Sequence, residues 1–382
     1  MSDAGASGLM VCHCCGQHHA GVSVREPAAG PRLPHFTVDM HCHLLVPAVE
    51  ECVAGHPHKQ AETAQQARLM GAASLAHNQQ MRAAIGPRLT TPAVRVADMD
   101  RLGIDLQVLS PSPTQYYTWA DAGLARDVVR LQNEAIAGVV RAQPDRFEGL
   151  GAVALQHPEL AAEQLRDAVN TLGLRGAEIT SDPTGKGLDD PALDVFWREA
   201  ERLGAVIFLH PLGTSLGERV NRYYLSNVIG QPLETTIALS ELIHGGVLDR
   251  FTRLRICAAH GGGYLPFAPG RSGHGFGVRP EARGCARPPG EYLQRMWFDS
   301  VVFRPESLRV LIDTVGLGQV VAGTDYPFDM GEYALHELIR RVPGLAPAGQ
   351  AALLGANASA LLRLDAEHPA RLRADLTHED IR

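Results

Sequence analysis

Four polar blocks stand where short apolar runs end, and their side chains are of the types that bind catalytic divalent metals. His41-Cys42-His43 follows one run, His210 a second, His260 a third and Asp325 a fourth. Imidazole and carboxylate are both ligands of such metals. In a parallel β/α protein the carboxyl ends of the strands face one side, where catalytic groups collect. If the runs are strands, the four blocks can converge on a single ion.

The residues within the blocks support this interpretation, although each block also has a simpler one. His41 and His43 are two positions apart, so both imidazoles of an extended chain point the same way; two histidines bonded to backbone are the alternative. Asp325 could instead cap the following helix, a common use of Asp. His260 precedes three glycines, which let backbone approach a ligand closely, and an imidazole beside a metal can act as a general base.

Eight β-branched runs alternate with helix-length patterns, and this rhythm predicts the elements that position the blocks. We expect an α/β fold, a (β/α)₈ barrel of the TIM type over residues 35–365; a doubly wound open sheet is the competing fold. The predicted strands are 36–41, 105–110, 147–155, 173–180, 205–210, 253–260, 296–302 and 319–325. The predicted helices are 60–85, 93–102, 121–142, 158–172, 190–203, 232–247, 305–315 and 332–341. The long segment 261–295 is rich in Gly, Pro and Arg, and loops of that length are usually functional.

The two ends of the chain differ from the barrel region. Residues 1–34 form an N-terminal extension, and 366–382 a charged C-terminal tail. The extension could bind zinc, but the spacing is not that of a zinc finger and an adventitious cluster is the other interpretation. The candidate ligands there are Cys12, Cys14, Cys15, His18 and His19.

The composition argues against several other classes of protein. The 382 residues are 45% hydrophobic and 20% charged, which predicts a large core and little disorder. The net charge is −7 and basic clusters are absent from the sequence, so we expect neither nucleic acid nor membrane as a partner. The sequence shows neither a long apolar run nor a secretory signal. Seven cysteines, several within apolar runs, indicate free thiols in a reducing compartment, and we expect a cytoplasmic protein.

Taken in order, the blocks resemble the metal-dependent decarboxylases of the amidohydrolase superfamily, especially those like 2-amino-3-carboxymuconate-6-semialdehyde decarboxylase. The matching motifs are His41-x-His43, His210-Pro211, His260-Gly-Gly-Gly and Gly323-Thr-Asp325-Tyr-Pro-Phe328, and the likeness extends to 95–110. The resemblance implies a (β/α)₈ barrel with one divalent metal, usually Zn²⁺, with Mn²⁺ as the alternative. By motif position, it implies that the ligands are His41, His43, His210 and Asp325. His260 would activate the metal-bound water.

The resemblance also implies residues that bind the substrate. Arg271 and Arg279 stand where the family has two arginines, one of which reaches across from a partner subunit, so a homodimer is expected. A further family arginine lacks a clean counterpart, and the nearby candidates are Arg82 and Arg88. Tyr224 stands where the semialdehyde decarboxylase has a tryptophan, which argues against assuming the same substrate.

The primary hypothesis is a metal-dependent, non-oxidative decarboxylase, a carboxy-lyase, of a small carboxylated aromatic or unsaturated ring-cleavage acid. His260 and Asp325 would be its catalytic residues, and the arginines would orient a carboxylate. Asp299 in the seventh strand could touch the site or only hydrogen-bond within the fold. A hydrolase or hydratase acting on a lactone or unsaturated dicarboxylate is the first alternative. A catalytically silent, metal-stabilised binding subunit is the second.

Overall fold

Eight parallel strands form a barrel, and each predicted strand is present. The structure is a computed structural model that describes residues 31–364 and the backbone of Met10–Val11 and His18–His19, which pair antiparallel. The (β/α)₈ fold predicted from the sequence is therefore confirmed. The barrel strands are β1 (Val38–Leu44), β2 (Leu106–Pro111), β3 (Phe147–Gly149, continued by Gly151–Ala152), β4 (Gly176–Thr180), β5 (Val206–His210), β6 (Arg255–Ala258), β7 (Trp297–Asp299) and β8 (Val320–Val321).

Backbone hydrogen bonds between the first and last strands close the ring. The N–H of Met40 donates to the Ala322 carbonyl at 2.9 Å. Between the two parts of β3, the N–H of Leu150 donates to the Leu109 carbonyl at 2.8 Å and so joins the two halves of the sheet. All seven residues of β1 are buried. Parallel strands are covered on both faces, which is why they read as nearly continuous apolar runs.

The strand bounds differ from the predicted ones where they carry the site. β1 extends to Leu44, so His41 and His43 lie inside the strand and not beyond it. The reason is that this part of β1 still pairs with β2. β6 and β8 are shorter than predicted, and His260 and Asp325 lie in the turns that follow them.

Helices surround the barrel and cover its ends. Within the described residues, eight of them lie close to the predicted positions, and six further helices accompany them. In chain order, the helices are α1 (Pro47–Val53), α2 (Pro57–Thr90), α3 (Pro92–Leu102), α4 (Ala122–Ala142), α5 (Pro158–Asn170), α6 (Asp194–Leu203), α7 (Gln231–His244), α8 (Val247–Arg250), α9 (Pro269–Val278), α10 (Pro289–Leu293), α11 (Pro305–Val315), α12 (Leu335–Arg340), α13 (Pro347–Ala351) and α14 (Asn357–Leu362). Both α9 and α10 lie within the long 261–295 segment.

The helix α2 is longer than predicted and is broken near its middle. It spans 34 residues, and Gly71 interrupts it with φ 76° and ψ 161°. A Cβ at this position would lie 2.1 Å from the carbonyl oxygen of Asn221, so only glycine fits. The break lets α2 pack against the Gly217–Val220 turn that follows β5. This places α2 at the end of the barrel where the carboxyl ends of the strands lie.

Glu199 on α6 links α5 and α6 through two arginines and predicts an acid-sensitive contribution to stability. Its carboxylate accepts hydrogen bonds from Arg202 and Arg166, which lower the pKa of Glu199 from 4.5 to about 2. Because the folded pKa is depressed, the stabilisation is fully present above pH 4.5 and is lost as the pH falls toward 2. The arginines are half-exposed, so we expect Glu199→Gln to cost about 1–2 kcal/mol at neutral pH.

Urea unfolding of the metal-free protein at pH 7 and pH 3 measures this effect. The difference between Glu199→Gln and the unmodified chain should shrink at the lower pH. Glu134→Gln, which removes an exposed ion pair with Arg130 on α4, serves as the control and should change little at either pH. A Glu199→Gln difference that is the same at both pH values would contradict the prediction.

The structure tests the predictions for the chain ends and for membrane spans only within the described residues. Within the described ranges, no helix combines the length and apolarity needed to cross a membrane. Cys12, Cys14 and Cys15 lie outside the described residues, and His18 and His19 are described only as backbone. The tail 366–382 also lies outside them. The domain boundaries at 34 and 365 and the second metal site therefore stay predictions.

Candidate metal centre and active site

Five side chains from the ends of four strands meet at one point. One donor atom each of His41, His210, His260 and Asp325 lies within 4.8 Å of the others. His43 faces the same point, because its Nε2 is 3.0 Å from Nε2 of His41 and 3.3 Å from Oδ1 of Asp325. The blocks that the sequence singled out are thus brought together by the barrel.

Several donor atoms at this point have no hydrogen-bond partner among the described residues. Both ring nitrogens of His210 and Oδ1 of Asp325 are buried without a hydrogen bond to any described residue. Buried polar atoms are normally satisfied, so their convergence indicates a ligand. Imidazoles with one carboxylate are a donor set typical of zinc and related divalent ions. The residues therefore fit a divalent metal.

Contacts behind the two β1 histidines fix the orientation of their rings. Nδ1 of His41 donates to Oδ2 of Asp299 at 2.5 Å, and Nδ1 of His43 donates to the Pro111 carbonyl at 3.1 Å. Asp299 also accepts from the backbone N–H of His260 at 2.9 Å. Each ring then directs the lone pair of Nε2 toward the point where the five side chains meet. The same arrangement occurs in metal sites where a carboxylate orients a ligating histidine. Of the two roles considered for Asp299, the structure shows contact with the site.

We expect Asp299→Asn to weaken metal binding by roughly 10–100-fold, because an amide can present a donor to Nδ1 of His41 and so favour the wrong tautomer. The readout is the affinity of chelator-stripped protein for Zn²⁺ or Mn²⁺, measured by competition with a metallochromic chelator. Asp127→Asn is the control, because Asp127 is an exposed carboxylate on α4 whose ion pair is with Arg130. Unchanged affinity in Asp299→Asn would show that the contact with His41 does not orient the ring.

In the metal-free centre the pKa shifts of His210 and Asp325 suit a cation, whereas that of His41 does not. Burial lowers the pKa of His210 well below its ordinary value, and the other histidines reinforce this. Burial alone would raise the pKa of Asp325, but His41 and His260 beside it hold it well below its usual range. Burial also opposes charging of His41, yet the carboxylates of Asp325 and Asp299 raise its pKa to about 10. A metal ion would compete with that proton for Nε2 of His41.

The backbone is strained at three residues that lie beyond the strand ends. His260, Asp325 and Tyr224 have φ values of 54°, 59° and 60°, in the left-handed region. Non-glycine residues in this region cost free energy and are concentrated at functional sites. Gly263 in the turn after His260 has φ 67°, and a Cβ there would lie 2.1 Å from the carbonyl oxygen of Pro232. The close approach that the sequence predicts for this glycine is therefore to the protein's own backbone.

Two cavities open onto the centre. The first has a volume of about 150 Å³ and is lined by His210 and Asp325. The second has a volume of about 410 Å³ and is lined by His260 and Asp325. Tyr224 lines the first cavity, as the resemblance implies for a substrate-binding residue.

The arginines implied by the resemblance lie in different surroundings. Arg82 on α2 lines the first cavity, whereas Arg88 donates to Asp98 at 2.8 Å and does not. Arg271 and Arg279 are exposed, and Arg279 pairs with Glu281. In the single chain, neither of the last two lies among the residues that line the two cavities.

The sequence matches the family model described as "Amidohydrolase" over residues 38–364. The chain belongs to the amidohydrolase family. A 2-amino-3-carboxymuconate-6-semialdehyde decarboxylase of Dictyostelium discoideum is 40% identical over 276 residues, which cover 72% of this chain and 77% of that protein. The predicted kinship with the decarboxylases of this superfamily and the predicted enzyme class, a carboxy-lyase, are confirmed.

Solved structures share the architecture of this amidohydrolase. A 5-carboxyvanillate decarboxylase of Sphingomonas paucimobilis superimposes with a TM-score of 0.76 at 25% identity, covering 86% of this chain and 99% of that chain. Its counterpart in Novosphingobium aromaticivorans, solved with bound manganese, has a TM-score of 0.76 at 21% identity, with 88% and 99% covered.

Three buried polar residues around the centre were missed by the sequence reasoning. Oδ1 of Asp39 accepts from the backbone N–H of His41 at 3.2 Å. Glu178 of β4 places Oε2 at 3.5 Å from Nδ1 of His43, and Arg95 of α3 donates to the carbonyl of the same histidine. Asp39 could have been found because it precedes His41 by two positions on the same face of β1. Glu178 could have been found as a lone carboxylate within an apolar strand.

Proposed function

We propose that this enzyme is a metal-dependent, non-oxidative decarboxylase of a small carboxylated aromatic or unsaturated ring-cleavage acid. The observation that carries the proposal is that five metal-type donor side chains converge beside a cavity that Arg82 also lines. The guanidinium fork of an arginine suits a carboxylate through paired hydrogen bonds. The names of the relatives, which act on carboxylated muconate and aromatic acids, support the same class.

The proposed ligands are His41, His43, His210 and Asp325. When bound there, a divalent metal would supply Lewis acidity that stabilises the negative charge formed as the carbon–carbon bond breaks. We propose zinc, because three imidazoles and one carboxylate suit it well. Manganese, present in the solved Novosphingobium relative, is the alternative.

The remaining groups bind the substrate and move a proton. Arg82 holds a substrate carboxylate, and Tyr224 and Phe328 in the same wall contact the ring. As CO₂ leaves, the bonding electron pair stays on the carbon that carried the carboxylate, and His260 delivers a proton to that carbon. Its side chain is 17% exposed and borders the second cavity, so solvent can reprotonate it.

Incubation of zinc- or manganese-loaded protein with carboxylated aromatics and muconate-type acids tests the proposal. CO₂ release, with a product lighter by one CO₂, is the expected result. A product heavier by one water would instead establish a hydrolase or hydratase. Stoichiometric metal binding without turnover of any acid would favour a binding subunit.

We expect Arg82→Ala to raise KM for the preferred acid by roughly 10–100-fold, with a smaller effect on kcat, because a charge-assisted pair with the carboxylate is lost. Arg68→Ala is the matched control, because Arg68 is exposed on the same helix and does not line the cavity. Steady-state kinetics with both variants give the comparison. An unchanged KM in Arg82→Ala would remove this residue from the substrate site.

We further propose a homodimer in which α9 meets the partner subunit. This helix has no buried residue in the single chain, although it includes Phe276 and Val278. It also carries Arg271 and is followed by Arg279, so a second copy could direct one guanidinium toward the neighbouring site. The mass in solution, measured by light scattering, tests the assembly.

The cytoplasm is the proposed location. Four cysteines within the described residues are free thiols, which is typical of a reducing compartment. They are Cys42, Cys52, Cys257 and Cys285.

A further inference from the structure

We infer that the second cavity is a binding chamber for an apolar substituent, so that the substrate is a ring carboxylate carrying a sizeable apolar group. This inference rests on the proposed decarboxylase function and narrows its substrate class. It follows from how the two cavities share the centre, from their sizes and from their different linings.

The point where the five side chains converge lies at the junction of the two cavities. Asp325 lines both, whereas His210 lines only the first and His260 only the second. Asn227, Gln231 and Met330 are also common to both linings and form the partition between them. A molecule whose reacting carbon lies at the centre can therefore extend into both cavities.

The two cavities together have room for more than one ring. The first cavity measures about 150 Å³, the size at which an apolar cavity holds one benzene molecule. The second measures about 410 Å³, more than twice that volume. A simple carboxylated ring would occupy the first cavity and leave the second to water.

The residues that line each cavity indicate which part of the substrate it binds. Arg82 places a positive charge on the first cavity, and the described residues that line the second include neither lysine nor arginine. The walls of the second cavity include Tyr264, Phe267 and Phe303, which are 38%, 39% and 47% exposed. Large apolar side chains grouped at a surface cavity mark a binding site for an apolar group. The carboxylate therefore belongs in the first cavity and the substituent in the second.

Met330 is the residue of the partition that we expect to set specificity. Its unbranched thioether side chain is flexible and can move aside for a substituent of variable shape. It follows Asp325 by five positions, so the same turn that carries a proposed ligand also limits passage between the cavities.

Binding measurements test the second chamber independently of turnover. The probes are a hydroxybenzoate and the same acid carrying a butyl or phenyl group, titrated into zinc-loaded protein by calorimetry. We expect the substituted acid to bind roughly 10–100-fold more tightly. Ser307→Trp, which fills the second cavity from the start of α11, should remove most of this preference. Asp313→Trp, at an exposed position on the same helix, should retain it.

The outcomes separate this inference from the proposed function. Equal affinity for the two acids in the unmodified protein, or a preference that persists in Ser307→Trp, would overturn the second chamber. CO₂ release from the same acids tests the decarboxylase proposal separately. A chamber that binds the substituted acid without any CO₂ release would refute the reaction and leave the binding site established.

Discussion

Protein carrying Asp325→Ala is expected to be purified without stoichiometric metal and to release no CO₂ above background. Asp325 is the only carboxylate among the five converging side chains. Its Oδ1 lies 3.3 Å from Nε2 of His41 and of His43, and its Oδ2 lies 3.5 Å from Nε2 of His260. Loss of one partner from a buried charge cluster costs about 3–5 kcal/mol, which as a loss of metal affinity would be roughly 10²–10⁴-fold.

Metal content per chain and CO₂ release, measured on one preparation, check this expectation. Asp329→Asn is the control for metal content, because Asp329 lines the same cavity but pairs with His77 at 2.8 Å. It should keep its metal. Full metal occupancy in Asp325→Ala would exclude this carboxylate from the ligand set.

His260→Ala should separate catalysis from metal binding. Four donor side chains remain in this variant, so we expect the metal to be retained. Loss of the proton donor should lower kcat by roughly 10²–10⁴-fold, the usual contribution of a general acid or base. The position of His260 makes the distinction informative, because its donor atom is close enough to the others to serve as a ligand instead.

The measurements are metal stoichiometry, kcat and the recovery of activity with added imidazole. His157→Gln serves as the control, because His157 bonds to the Ala120 carbonyl away from the centre and the variant should behave like the unmodified enzyme. If His260→Ala loses metal and activity together, His260 is a ligand, and the proton must come from another group.

The sequence by itself determined the fold and the centre of the site. Parallel strands buried on both faces are nearly continuous apolar runs. Each of the eight strands could therefore be predicted from its own stretch of sequence. Because the carboxyl ends of such strands share one side, the residues at the ends of the first, fifth, sixth and eighth runs had to meet. That is why His41, His43, His210, His260 and Asp325 could be selected without coordinates.

Only the tertiary structure decided which other residues reach the centre. Arg82 and Arg88 are six positions apart on α2, and the path of this helix past the break at Gly71 places the first in the cavity and leaves the second beside Asp98. Asp299 meets His41 across 258 positions of sequence.

The tertiary structure also decided the shape of the cavities around the centre. The two cavities and their partition depend on how α2, α7, α11 and the turn after β8 approach one another. A periodic pattern specifies which face of an element is buried, but it does not specify the distance to a particular neighbour. The sequence therefore predicted a metal centre, and the packing of distant elements decided the shape of the cavities beside it.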